Sequence, residues 1–139
     1  LLHNQWPASK DEVDHRRRSI YLFARRNLRY PLFELFDRPN LAEPCYHRKI
    51  STTAPQSLAL LNSEFARNSA KRLSTQLMEK ARTPTEQIVL CYQLTLARAP
   101  KPGELVAGLK LVAGAEDRDQ GLADLCLAAF NLNEFLFLD

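Results

Sequence analysis

Thr83-Pro84-Thr85-Glu86 constrains this chain more than any other four residues. A threonine before a helix accepts an orphan amide of the first turn, proline at N1 has no N–H to lose, and glutamate at N3 reaches back to the cap amide. The spacing predicts a helix from Pro84 to about Ala97. Ile88, Val89, Leu90, Cys91, Leu94, Leu96 and Ala97 cover most of its circumference, and a helix that is apolar nearly all round belongs in a core.

The same start signal recurs at Thr53-Ala54-Pro55-Gln56. Leu58, Leu61 and Phe65 follow at i, i+3, i+7, and Ala66, Ala70, Leu73 and Leu77 extend the apolar pattern to about Ala81, with a break near Asn62-Ser63 where Asn62 is placed to cap a second piece. Beyond Ala99-Pro100-Lys101-Pro102-Gly103, one helix is marked by Leu105, Leu109, Val112 and Ala113, and the last by Leu122, Leu125, Cys126, Ala129 and Phe130. An acidic turn, Gly114 to Gln120, separates them. Upstream, Ser9 and Glu12 form a capping box, and Arg17–Arg29 sets Ile20, Phe23, Ala24 and Leu28 on one helical side and Arg18, Arg25 and Arg29 on another. Pro31 ends that helix, and Leu32–Asp37 is read as one further short turn. Residues 38–53, with Pro39, Asn40 and Pro44, read as a long loop. No segment alternates with period two, and Asn-Gly and Asp-Gly hairpin dipeptides are absent. The expected fold is all-α: an irregular bundle of about five to six helices forming one domain over residues 1–139, with a sub-boundary near the 38–53 loop.

Among 139 residues, 45% are hydrophobic and 25% charged, close to soluble globular averages, which excludes a disordered tail or a fibre. The net charge of +3 lies in the N-terminal part: residues 1–50 hold 10 Lys/Arg against 6 Asp/Glu, and the remainder 9 against 10. No stretch approaches the roughly 18 apolar residues of a membrane span. The opening Leu1-Leu2-His3-Asn4 reads as the start of a segment cut from something longer, so the native compartment is not legible from it. Cys45, Cys91 and Cys126 are too few and too widely spaced for a CxxC site, a CxxCH haem attachment or a disulfide framework. Cys91 and Cys126 fall within apolar helical patterns and read as small buried hydrophobes rather than a mutual disulfide, whereas Cys45 lies in a polar loop.

Three groups of residues could carry chemistry. The arginines of Arg16–Arg18 with Arg25, Arg26 and Arg29 match a phosphate-binding footprint, but Asp11, Glu12 and Asp14 offset them and no recognition motif accompanies them, so ion pairing is the preferred reading over nucleic acid. Cys45 and His47 supply two metal-ligand types, but a lone Cys-x-His pair needs further ligands, and no metal is assigned. Arg48, Ser51, Thr52, Thr53 and Gln56 bring cations and hydroxyls to a helix N-terminus, where free amides favour an anion. They form the candidate anion or ligand site; the competing reading is that Ser51, Thr52 and Thr53 simply cap the helix. No catalytic residue is assigned.

Arg17-Arg18-Ser19-Ile20-Tyr21, then Phe36-Asp37-x-Pro39-Asn40, then Cys45-x-x-Arg48-x-x-Ser51-Thr52-Thr53-x-Pro55-Gln56-x-Leu58-x-Leu60-Leu61-Asn62 together resemble the planctomycete secreted C-terminal domain family. Ala123-Asp124-Leu125 through Asn131-x-Asn133-Glu134-Phe135-Leu136 is similar to that family's C-terminus, so the likeness runs from about Trp6 to Asp139; Tyr46-His47 departs from it. The resemblance implies a secreted or periplasmic protein of which this chain is the C-terminal part, commonly preceded by a cytochrome-c-like domain. Any haem would then sit in upstream domains, and this segment would hold no cofactor. It transfers no catalytic role to Arg48, Gln56 or Asn62. The function expected on this basis is a non-catalytic structural or interaction module whose partners are the upstream domains; the alternative is a ligand-binding or enzymatic part with an anion or sugar site at Arg48–Gln56.

Overall fold

The computed structural model describes residues 9–11, 13–14, 17–22, 30–39, 44–47, 51 and 53–137. They contain seven α-helices, short 3-10 turns and no strand, so the chain is all-α. Two compact units divide it, Leu1–Ser51 and Thr52–Asp139.

In the first unit, the described residues after Ser9 form turns held by local polar contacts, and Glu12 of the expected capping box lies outside the described residues. The Ser9 hydroxyl accepts the Asp11 N–H at 3.2 Å and donates to the Asp14 carboxylate at 2.7 Å, which closes a turn. Arg17 pairs with Asp14 at 3.0 Å. Ser19–Tyr21 is a 3-10 turn with Ile20 and Tyr21 exposed, so the described start of the predicted Arg17–Arg29 helix is not α-helical; residues 23–29 lie outside the described set. Pro31 opens helix α1 (Pro31–Leu35), and the extended backbone of Tyr30 is what a following proline imposes. Tyr30 and Phe33 pack ring to ring at 5.2 Å, and the Arg38 guanidinium lies 5.0 Å from the centre of the Phe33 ring.

The second unit carries the core. Its helices are α2 (Ala54–Asn62), α3 (Glu64–Lys80), α4 (Pro84–Leu96), α5 (Pro102–Gly114), α6 (Arg118–Phe130) and α7 (Asn133–Leu136). The start signals behave as read. Thr83 Oγ1 accepts the Glu86 N–H at 3.2 Å, and the Glu86 carboxylate accepts the N–H groups of Thr83 and Arg82 at 3.0 and 3.2 Å. Those donated bonds favour the ionised form and hold the Glu86 carboxyl below its ordinary range. At α2, Gln56 Oε1 accepts the Thr53 N–H at 2.9 Å. The cap between α2 and α3 is Ser63 rather than Asn62: its hydroxyl accepts the Ala66 N–H at 3.2 Å, while Asn62 is the last residue of α2.

Leu77, Ile88, Cys91, Leu122 and Cys126 are fully enclosed, with Ala70, Val112, Leu125 and Ala129 around them. Burying such side chains supplies about 1.5–3 kcal/mol for each large one. Helix α6 packs against α3, α4 and α5 and buries Gly121, Leu122, Ala123, Leu125, Cys126 and Ala129. It is thus the most enclosed helix; α4 buries Gln87, Ile88, Cys91 and Tyr92 but leaves Leu94 exposed. Small residues make this arrangement possible. A Cβ on Gly121 would stand 2.8 Å from the Ala115 Cβ and 3.1 Å from the Val112 backbone, so the missing side chain is what lets α6 approach the end of α5. The predicted Leu58, Leu61 and Phe65 face points outward instead, at 57%, 42% and 74% exposure, and α2 buries Gln56 in its place.

Candidate functional site

The segment expected to bind an anion is built around local hydrogen bonds. Ser51 donates both its backbone N–H, at 2.8 Å, and its hydroxyl to one oxygen of the Asp37 carboxylate. Asp37 sits in the left-handed region at φ 56°, a conformation that aspartate tolerates better than most residues. A protein carboxylate therefore occupies the Ser51 donors. Thr53 and Gln56 form the start of α2, where the buried Gln56 side chain serves the cap amide. Arg48 and Thr52 lie outside the described residues. Asp37 is the functional partner that sequence spacing missed, since it stands 14 positions from Ser51 and no periodic pattern joins them.

Cys45, Tyr46 and His47 are exposed, and the Cys45 thiol donates to the His47 carbonyl at 3.3 Å. The contact runs from thiol to backbone, so the imidazole does not share in it. Among the described residues no group of three or more His, Cys, Asp or Glu side chains converges as a metal site would require.

Two polar networks in the second unit lie outside the candidate groups that the sequence offers. Arg98, in the loop after α4, grips Glu104 with two nitrogens at 2.8 Å each and reaches Glu134 through Nε at 2.7 Å, which ties the starts of α5 and α7 together. Such a planar fork is the strongest carboxylate partner a protein has. The Arg98 fork and the Lys101 N–H hold the Glu104 carboxyl down at about 2. The Arg98 guanidinium is held further into its charged form by the same two carboxylates, and it lies 5.5 Å from the Tyr92 ring centre. Gln87 forms the second network: its amide donates to the Ala81 carbonyl at 2.9 Å and accepts from Arg118 at 3.1 Å. Lys101-Pro102-Gly103-Glu104 repeats the Pro-x-Glu spacing of the α4 start, so Glu104 as a helix-start residue was visible in the sequence, whereas its arginine was not.

Cys91 and Cys126 are both free and fully buried, with their sulfurs 3.8 Å apart. The neighbouring Cys126 thiol lowers the pKa of Cys91, while the Cys91 sulfur and burial push Cys126 up.

A family model described as PSD1, a protein of unknown function (DUF1553), matches residues 2–112. The chain belongs to this family. The match covers the first unit and α2 through most of α5, and it stops ahead of α6. No curated protein and no solved structure matches the chain. Among the described residues no helix is long and apolar enough to cross a membrane.

Proposed function

We propose that this PSD1-family chain is a structural and interaction module of a longer secreted planctomycete protein, docking against domains that precede it and performing no reaction of its own. One observation carries the reading. Within Thr52–Asp139 the best-placed polar groups, Glu86, Gln87, Arg98 and Glu104, are engaged in fixing helix ends, while Leu58, Leu61 and Phe65 stand exposed within a short stretch of α2 and α3. Exposed large apolar side chains this close along the chain supply the apolar surface that a docking partner would cover. The occupant is an upstream domain of the same polypeptide, in keeping with the family resemblance; any haem belongs to such a domain and none to this segment. An anion or sugar at Arg48–Gln56 would compete with Asp37 for the Ser51 donors, which makes it the weaker reading.

The test replaces Leu58, Leu61 and Phe65 by serine in the longer protein. Because these side chains are exposed here, the isolated chain should keep its melting temperature within a few degrees, while the longer protein should become cleavable by trypsin between this module and its neighbour. Unchanged protease resistance of the longer protein would oppose the proposal.

A further inference from the structure

Two thiols lie side by side in the centre of the second unit, one on α4 and one on α6, and nothing in the capping or ion-pair networks uses them. Their sulfurs are 3.8 Å apart, which is hydrogen-bond contact for sulfur, and both residues are fully buried. Forming the bond shortens that separation to about 2.05 Å, and the two sulfurs already face each other with no atom group between them to displace. From this juxtaposition we infer that Cys91 and Cys126 are a disulfide-forming pair, closed by thiol–disulfide exchange with a small disulfide oxidant while the chain folds or when α6 transiently opens. The Cys91 thiolate attacks one sulfur of the oxidant and releases its first thiolate; Cys126 then attacks the Cys91 sulfur of the mixed disulfide and releases the second. The pair gives up two protons and two electrons, and the oxidant leaves as two thiols.

The placement argues for a structural bond rather than a reactive one. A disulfide enclosed by Leu77, Ile88 and Leu122 is shielded from reductants once formed, and it joins the two most enclosed helices across 35 positions of chain. Closing a loop of that length restricts the unfolded ensemble enough to raise the melting temperature by on the order of 10 °C or more. Cys45 is excluded as a partner on this reading because it is exposed and engaged with its own loop.

The experiment uses the full chain carrying Cys45→Ser, unfolded and refolded in a mixture of reduced and oxidised glutathione. Intact mass should fall by about 2 Da, a tryptic peptide should bridge Cys91 to Cys126, and the product should melt higher than the same protein refolded in excess reductant. Two free thiols after refolding, or glutathione held on either cysteine without a bridge, would overturn the proposal. Because both samples share one sequence, a folding defect of the variant cannot account for a difference between them. The wild-type chain should give the same bridge, and a bond from Cys45 to either buried cysteine would also contradict the assignment.

Discussion

Gly121→Ala should destabilise the second unit although alanine is the better helix former. In a helix interior the exchange gains about 1 kcal/mol of propensity. The new Cβ would meet the Ala115 Cβ at 2.8 Å and the Val112 backbone at 3.1 Å, and because two of those atoms are main chain they cannot turn aside. Overpacking of this kind costs about 1–3 kcal/mol, and the upper half of that range applies where backbone must shift. The net loss is then about 1–2 kcal/mol, or a fall in melting temperature of roughly 5–15 °C for a unit of this size. Gly103→Ala is the matched control, since nothing lies within 4 Å of the Cβ it would add and its backbone is not left-handed. That variant should hold or gain up to about 1 kcal/mol. Thermal denaturation followed by circular dichroism at 222 nm reads both. If Gly121→Ala melts at or above the parent, the close approach of α5 and α6 at this residue is wrong.

Three further outcomes follow from the same geometry. Glu104 is held at about 2 against an ordinary 4.5, so its contribution to stability is complete above about pH 4.5 and is lost as pH falls through about 2; Arg98→Met should flatten the acid limb of the melting-temperature profile across that window, and an unchanged limb would show that the fork is not responsible. Ala97 closes α4 at φ 56°, where a Cβ costs about 1–2 kcal/mol and glycine's extra unfolded-state freedom returns about 0.4–1; Ala97→Gly should therefore raise stability by about 0.5–1 kcal/mol in urea titration, and a decrease would contradict the cap geometry. Gln87→Leu leaves the buried Ala81 carbonyl without its donor, while exposed Arg118 turns to water, and should cost about 1–3 kcal/mol, measured as a lower urea midpoint at constant slope.

What the sequence made legible were features that depend on neighbours along the chain. Thr83 with Glu86 and Thr53 with Gln56 form their caps from residues three apart, so the helix starts at Pro84 and Ala54 follow from spacing alone. Ser9 accepts a backbone amide as its position suggests, but its hydroxyl also bonds Asp14, and Glu12, the other half of the expected box, lies outside the described residues. Leu58, Leu61 and Phe65 have helical periodicity, but periodicity identifies a stripe and not the surface it meets; the short α2 turns its capping glutamine inward and Leu58 and Leu61 out. Central burial of α6 was hidden for a related reason. Gly121, Ala123 and Ala129 score weakly as apolar residues, yet their small size is what permits close packing on α3 and α5. In the candidate site, the components around Ser51 and Gln56 were readable, but Asp37, Arg98 and the Cys91–Cys126 contact arise from folds of the chain that bring residues 14, 36 and 35 positions apart together.

Hydroxyl-radical footprinting of Leu58, Leu61 and Phe65, carried out in parallel on this chain and on the longer protein, tests the docking account most directly. In the isolated chain all three should be oxidised readily, Phe65 most and Leu61 least relative to the free side chains, in keeping with exposures of 74%, 57% and 42% for Phe65, Leu58 and Leu61. The longer protein should show the three protected together, with exposed Val106 on α5 equally reactive in both samples. Equal oxidation of Leu58, Leu61 and Phe65 in the two samples would contradict the account.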